Sequence, residues 1–451
     1  MKQIIDRQRE FFNTDITRDM KFRKQQLKKL EASLLSHYDD LVKAFKSDYN
    51  KCEFDMLSNE LSITMNELHF MQKHLRRLMK PKRVRTSIIN FYSRGYIYPE
   101  PYGVTLIIAP WNYPLQLSLV PLIASISAGN TTILKLSANT PEITRVITDI
   151  LSVFSEDYIY VTKPEEREKI FDGDYDFCFY TGSTKVGKDL LKRQASNLTP
   201  CVLELGGKSP CIIDEDANLD RTARRLVWGK YLNAGQTCVA PDYAVVHENV
   251  KDKLIEHLLH YIHKFYYDNN GKLTDNFTHI VSEKATDHLM SLIDGEHVIC
   301  GGHANGRCIE PTILDNITFN SPIMQEEIFG PILPILTFSN IDEVITRQKQ
   351  MEKPLALYYF GKRNENKVLR SLSFGGGCIN DTIMHLTEEK MPFGGVGFSG
   401  MGSYHGKKSF ETFSHNRSVL KKGKIEMSTK YPPYTNGKIK LVKFLFHIKK
   451  K

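Results

Sequence analysis

From Lys21 to Tyr49 the chain reads KFRKQQLKKLEASLLSHYDDLVKAFKSDY, with Leu27, Leu30, Leu34, Leu41 and Phe45 at helical spacing and charges between them. That period predicts amphipathic helices over residues 1–80. MKPKRVRTS ends the pattern, and short apolar runs bounded by turn residues then alternate with longer periodic stretches. GVTLIIAP predicts a strand, LQLSLVPLIASISAGN a helix stopping at Gly129-Asn130, TTILKLS a strand, and TPEITRVITDILSVF a helix with Pro141 just inside its start, where the fixed φ of proline suits the first turn. YIYVT, YDFCFYTGS, KVGKDLLKRQAS and CVLELGGKSPCIID continue the alternation. Strands alternating with helices predict an α/β architecture with a doubly wound parallel sheet.

A second unit of the same texture begins after about residue 207. DANLDRTARRLVWGKYLNAGQ and VKDKLIEHLLHYIHKFYYD predict helices, and DYAVVHE, PTILDNI and PILPILTF predict strands. The glycine-rich stretch FGGGCIND…PFGGVGFSGMG predicts loop. No internal repeat at a fixed period is present.

Length and composition narrow the class. The 451 residues are 41% apolar and 25% charged, which suits a soluble chain of two or three domains. The eight cysteines form no CxxC pair, MKQIIDRQREFF is charged and is no secretory signal, and no apolar run reaches bilayer-spanning length. A reducing, cytoplasmic location with free thiols is expected. The net charge of +9 resides in the tail: from Lys421 to Lys451 there are ten lysines and one acid, Glu426. The remainder is near neutral, which argues against a nucleic-acid-binding body. The tail GKIKLVKFLFHIKKK interleaves lysines with Ile439, Leu441, Val442, Phe444, Leu445, Phe446 and Ile448. It reads equally as a solvated terminus, a strand docked on a partner subunit, or an anchor for peripheral contact with the inner face of a membrane.

Two phosphate-like motifs carry different weight. GVGFSG, residues 395–400, matches GxGxxG but lacks a preceding strand and a following helix, so it reads as a tight backbone crossing. GSTKVGKD, residues 182–189, follows a strand and opens a helix, yet Asp189 replaces the Ser or Thr that a P-loop needs for magnesium. What remains is an anion site at a helix N-terminus, with Gly182 and Ser183 fit for a pyrophosphate without metal.

The candidate chemistry centres on NAGQTCVAP, where Cys238 stands among small and polar residues, whereas Cys178 in FCFY and Cys211 in PCIID read as core. Glu204 ends a strand before Gly-Gly, Asn112 ends the first strand in IIAPWNYP, and Glu326 and Glu327 precede Phe329 in MQEEIFGP. Each alone suits a cap, a turn or a charged loop. Together they supply a thiol, a carboxylate base and an amide donor, the parts needed for covalent chemistry at a carbonyl. No metal site is expected.

PWNYP, YTGSTKVG, LELGGKSP, NAGQTCVAP, EEIFGP and PFGGVGFSGMG occur in the order found in NAD(P)-dependent aldehyde dehydrogenases, and the resemblance runs from about residue 20 to about 420. The short N-terminal arm and YHGKKSFETFSH resemble the class 3, fatty-aldehyde branch. The resemblance implies a cofactor domain at 1–206, with 85–99 contributing to an oligomerisation element, and a catalytic domain at 207–395. It further implies a return segment and oligomerisation element at 396–430, with the basic apolar tail at 431–451. It implies a homodimer acting on a lipophilic aldehyde, fatty or carotenoid.

The resemblance also assigns roles. Cys238 resembles the nucleophile, with the oxyanion held by the Asn112 amide and the Cys238 backbone N–H. Glu204 resembles the base that activates water to hydrolyse the thioester. Trp111, Lys135, Gly182, Ser183, Gly187, Leu205, Glu327 and Phe329 match the cofactor-binding positions. Lys135 falls at the adenine ribose, Ser183 at the pyrophosphate, Glu327 at the nicotinamide ribose, and Phe329 beside the ring. KLSAN departs from the family's Lys-Pro-Ser-Glu: Ala138 stands where a glutamate normally binds ribose hydroxyls and repels a 2′-phosphate. NAD is the first expectation, and NADP stays open. The alternatives are an inactive peripheral membrane or structural protein on the same fold, a P-loop NTPase, and a CoA-acylating dehydrogenase, the last disfavoured by Glu204.

Overall fold

The computed structural model describes residues 1–87, 90–166, 168–425 and 428–448. The N-terminal region is helical: Lys2–Phe12, Met20–Ser36, Tyr38–Tyr49 and Ser62–Leu78. Leu27, Leu30, Leu34, Leu41 and Phe45 are all buried on their inner faces. The side chain of Asp19 accepts from the Phe22 N–H and caps the second of these helices.

The helices cover a six-stranded sheet in the order Gly400–Met401, Cys201–Glu204, Phe177–Thr181, Val104–Ile108, Thr131–Lys135 and Ile159–Val161. Its neighbours are parallel except that Gly400–Met401 runs antiparallel to Cys201–Glu204. Val104–Ile108 is buried throughout, as a parallel strand covered on both faces must be. In register, Ile108 lies opposite Lys135, and Thr181 opposite Glu204. The strands therefore end along one edge, where open α/β sheets place their ligand crevices.

A seven-stranded sheet follows, ordered His297–Cys300, Thr312–Asp315, Ile332–Phe338, Tyr243–His247, Pro210–Ile213, Ala356–Phe360 and Gly376–Ile379. It is parallel apart from His297–Cys300. Ile212, Val245, Leu254, Ile332 and Tyr358 lie in its core. A third, antiparallel sheet joins Lys82–Val84, Ser93–Pro101 and Ser414–Lys422. Ser93–Pro101 overlaps, and Ser414–Lys422 falls within, the segments 85–99 and 396–430 expected to form the oligomerisation element, whereas Lys82–Val84 lies outside them; residues 88–89 and 426–427 of those segments lie outside the described residues.

Three expectations need correction. The glycine-rich stretch is not all loop, because Gly376–Ile379 pairs with Ala356–Phe360 and Gly400–Met401 pairs with Cys201–Glu204. Glycine is required there by crowding, since a Cβ on Gly377 would lie 2.0 Å from the Leu357 carbonyl oxygen. The helix reaching into NAGQ stops at Tyr231, where Asn233 and Ala234 turn left-handed. The tail is neither strand nor unstructured: Asn436–Leu445 is a helix, with the Thr435 side chain accepting from the Lys438 N–H as its cap. Lys449, Lys450 and Lys451 lie outside the described residues.

Candidate active site

The loop carrying Cys238 is built by close packing. After Tyr231 the chain bends through Asn233 (φ 54°), Ala234 (φ 52°) and Gly235 (φ 72°). A side chain on Gly235 would meet the Gly330 carbonyl oxygen at 2.2 Å, so only glycine fits. Gln236, fully buried, ties the loop down. Its Nε2 donates to Asn233 O and His279 O, and its Oε1 accepts from the Val281 N–H. The small neighbours of Cys238 thus serve packing.

Cys238 is part-buried and lines two cavities. One, of about 210 Å³, also meets Trp111, Asn112, Gly182, Ser183, Glu204, Leu205, Glu327 and Phe329. The other, of about 320 Å³, is walled by Ile63, Tyr113, Leu117, Val120, Trp228, Leu232, Ile383, Leu386, Phe393 and Tyr404, with a polar side from Ser58, Asn59, Ser62, Asn66 and Glu67. Cys178 and Cys211 are buried, and the other five cysteines are part-buried. None of these seven lines either cavity.

Asn112 is 4% exposed, and its Nδ2 donates to Gln236 O at 3.1 Å. Its own carbonyl accepts from Asn233 Nδ2 at 3.0 Å. One hydrogen of the Asn112 amide is therefore engaged, and an amide NH₂ carries a second. Glu204 ends its strand 2% exposed, with neither carboxylate oxygen hydrogen-bonded among the described residues. Burial alone holds its carboxyl well above the usual range. Burial, then the charges of Glu327 and Glu204, pushes the Cys238 thiol up to about 12, against the opposing pull of the Cys238 and Val239 backbone N–H groups. The resting thiol is therefore protonated at neutral pH.

The smaller cavity has the chemistry for a dinucleotide. Thr181, Gly182 and Ser183 carry the chain from strand to helix, and the Ser183 hydroxyl accepts from Val186 N–H at 3.5 Å to start Thr184–Gln194. Glu327 packs on Gly206, where an added Cβ would lie 2.0 Å from its Oε2. Burial, then Asp242, pushes Glu327 up to about 8. Phe329, at φ 53°, meets Trp111 edge-on with ring centroids 5.3 Å apart. A strand-to-helix turn at a helix N-terminus, a carboxylate and an aromatic face fit a pyrophosphate, a ribose and a nicotinamide.

Lys135 and Gly187 do not line this cavity. Lys135 ends the strand next to Ile108, part-buried, three residues before the exposed Ala138. Gly187 is buried where a Cβ would press on Leu205 at 2.9 Å. Lys188, the lysine of the P-loop-like match, sits 4.0 Å over the Phe398 ring, and Asp189 pairs with Arg193, so that segment does not hold a Walker arrangement. Among the described residues no cluster could hold a metal ion.

Several residues of the site escaped the sequence reading. Tyr113 donates or accepts with Thr237 Oγ1 at 2.7 Å. Glu60, fully buried, accepts from the Leu115 and Gln116 N–H groups. Lys230, also buried, has its ammonium lowered to about 8 by burial. Tyr113 stands beside Asn112 within the motif and could have been singled out. Glu60 and Lys230 lie on helices whose sequence shows nothing beyond amphipathic spacing.

The comparisons agree with this geometry. The model of the aldehyde dehydrogenase family matches residues 1–419. The chain is 46% identical over 447 residues to 4,4'-diaponeurosporen-aldehyde dehydrogenase of Staphylococcus aureus, covering 97% of each. It is 39% identical over 454 residues to aldehyde dehydrogenase family 3 member A2 of Rattus norvegicus, covering 98% of this chain and 94% of that one. The substrate-bound structure of S. aureus AldH superposes with a TM-score of 0.95 at 45% identity, over 98% of this chain and 99% of the other. The chain belongs to the aldehyde dehydrogenase family, as an NAD(P)-dependent enzyme.

Proposed function

We propose that Cys238 attacks the carbonyl carbon of a lipophilic aldehyde, and that the acyl group it then holds is released to water as the carboxylic acid. The observation that carries this reading is that Cys238 alone among the cysteines lines both cavities, one apolar and one with dinucleotide chemistry. The thiol loses its proton to solvent and the sulfur adds to the carbonyl. The new oxyanion accepts from the free hydrogen of the Asn112 amide and from the Cys238 backbone N–H, a preorganised pair of donors. NAD(P), when bound, supplies the acceptor for the hydride that leaves the tetrahedral carbon. Glu204 takes a proton from water, whose oxygen attacks the thioester, and the Cys238 sulfur departs.

Gly182 and Ser183 would hold the pyrophosphate, Lys135 the adenine ribose, and Glu327 the nicotinamide ribose. Trp111 and Phe329 would flank the ring, while Leu205 would shape the floor and Gly187 would give it room to pack. NAD is the first choice. Ala138 puts no carboxylate near the adenine ribose, so NADP is also accepted. The apolar wall of the larger cavity, and the name of the S. aureus relative, support a fatty or carotenoid aldehyde.

The homodimer would use the three-stranded sheet. The tail helix Asn436–Leu445 buries none of its residues, and Tyr434 and Phe444 are 71% and 76% exposed. No helix among the described residues is long and apolar enough to cross a membrane. A basic amphipathic helix of this kind suits peripheral contact with an anionic, inner-face membrane surface.

The test is an aldehyde series of increasing length, with a carotenoid aldehyde, each assayed with NAD and with NADP. The expected result is NAD(P)H formation with kcat/KM rising with chain length. No NAD(P)H with any aldehyde would overturn the enzyme reading, and a preference for short polar aldehydes would overturn the substrate class.

A further inference from the structure

We propose that the buried pair Lys51 and Glu60 is a positioning element for the loop that carries Asn112, an inference that rests on the oxyanion role given to Asn112 above. Lys51 is 1% exposed and Glu60 fully buried, with Nζ and Oε1 3.7 Å apart. Neither of those two atoms has a hydrogen-bond partner among the described residues. Such a pair is costly to bury and is often no more stable than apolar residues of the same size. Its contacts indicate what it does instead.

Glu60 Oε2 accepts from Leu115 N–H at 3.1 Å and Gln116 N–H at 2.9 Å, at the start of the buried helix Gln116–Ala128. The carboxylate thus fixes the point where the loop after Ile108 turns into helix. Lys51 Nζ lies over the rings of Tyr113 at 4.9 Å, Phe45 at 5.4 Å and Tyr49 at 5.5 Å. The Tyr49 hydroxyl donates to the Trp111 carbonyl, and the Tyr113 hydroxyl bonds Thr237, the neighbour of Cys238. Trp111, Tyr113, Leu115 and Gln116 are therefore held on both sides of Asn112 by one buried cluster. A local distortion brings Glu60 there. Leu57–Leu61 forms a π-turn in the helical run that ends at Leu78, and one extra residue rotates the following face by about 100°.

The experiment follows the single-turnover burst of NAD(P)H from hexanal in the full-length enzyme at saturating cofactor, with NADH affinity measured by fluorescence. Glu60→Gln and Lys51→Met are each expected to slow the burst tenfold or more while changing NADH affinity less than twofold. Lys51→Met with Glu60→Gln should fold better than either alone, because no buried charge is left unpaired. Tyr49→Phe removes a single hydroxyl and, should the charge variants not fold, is expected to slow the burst three- to tenfold.

The deciding arm repeats each change in an Asn112→Ala background. If the cluster acts through Asn112, each change should then alter the burst less than twofold. Multiplicative losses in that background, or an unchanged burst in the single variants, would overturn the positioning role. An unchanged burst in Asn112→Ala alone would instead overturn the oxyanion reading and the positioning role with it.

Discussion

If Glu204 is the proposed base, replacing it with Gln should separate the two halves of the reaction and also report on the thiol. Cys238 is pushed up to about 12 by burial, then by Glu327 and Glu204. At pH 8 such a thiol is about one part in 10⁴ thiolate, against about a quarter for a free cysteine of pKa near 8.5. The higher intrinsic nucleophilicity of the rarer thiolate returns a factor of about 30, leaving alkylation roughly 50–100-fold slower than for free cysteine. The alkylation rate should climb about tenfold per pH unit from 7 to 10 without a plateau. Glu204 opposes that ionisation only while its own raised carboxyl is ionised, so Glu204→Gln should speed iodoacetamide alkylation of Cys238 above the pH at which Glu204 ionises and leave it unchanged below, read by peptide mass.

In turnover the same variant should release close to one equivalent of NAD(P)H in a burst and then run about 10²–10⁴-fold slower, because the base for water is gone. Stability supplies a third readout. The folded carboxyl of Glu204 sits above its unfolded value. Its protonated form is favoured by folding, so its contribution is intact below the unfolded pKa of about 4.3 and is lost as pH rises. Glu204→Gln should therefore leave the melting midpoint near wild type at pH 4 and raise it relative to wild type at pH 8. Slower alkylation, or a normal steady rate after the burst, would refute the assignment of Glu204.

Cys238→Ala is expected to abolish oxidation at every chain length, whereas Ala at Cys178 or Cys211, both buried, should cost about 1–3 kcal/mol of stability in a denaturant titration and leave kcat nearly unchanged. Ala138→Glu should shift the NAD-to-NADP ratio of kcat/KM toward NAD by tenfold or more, since a carboxylate beside a 2′-phosphate is repulsive; a wild type that already ignores NADP would remove the basis for this. Truncation after Tyr434 should leave oxidation of short soluble aldehydes within about twofold. It should also abolish salt-sensitive sedimentation with anionic vesicles, to which each lysine contributes roughly 1 kcal/mol; equal sedimentation of the two forms would show that the tail does not bind lipid.

The alternation of apolar runs and helical periods made both parallel sheets legible, because strands such as Val104–Ile108 are buried on both faces and are nearly all apolar, the one polar residue, Thr105, being satisfied by hydrogen bonds to Ser125, Thr131 and Thr132. Gly129 was legible as a stop because a left-handed residue there (φ 94°) strongly favours glycine. The strand Gly376–Ile379 was not, since its glycines answer to a neighbouring backbone that periodicity does not register. Cys238, Asn112, Glu204 and Glu327 stood out through their turn-rich settings, and one cavity does collect them. Lys51 and Glu60 were illegible for a different reason. In sequence they are two ordinary charges, and only the π-turn and the long-range contact with residues 113–116 turn them inward.

The protonated resting thiol also bears on how the site discriminates. Burial first, and then Glu327 and Glu204 in their ionised forms, disfavour negative charge on the Cys238 sulfur. Addition to a carbonyl moves that charge from sulfur to oxygen, toward the Asn112 amide and the Cys238 N–H, where donors already stand. What is unfavourable in the resting state is relieved as the bond forms, so the same electrostatics that suppress reaction with solvent oxidants leave addition to a bound aldehyde favoured. An aldehyde held in the apolar cavity gains this relief because its oxygen can reach those donors. A peroxide or haloacetamide reaching the sulfur from solvent forms no such oxyanion and does not. Under the proposed mechanism, reactivity at Cys238 is therefore set less by an activated sulfur than by where the loop from Trp111 to Gln116 holds Asn112.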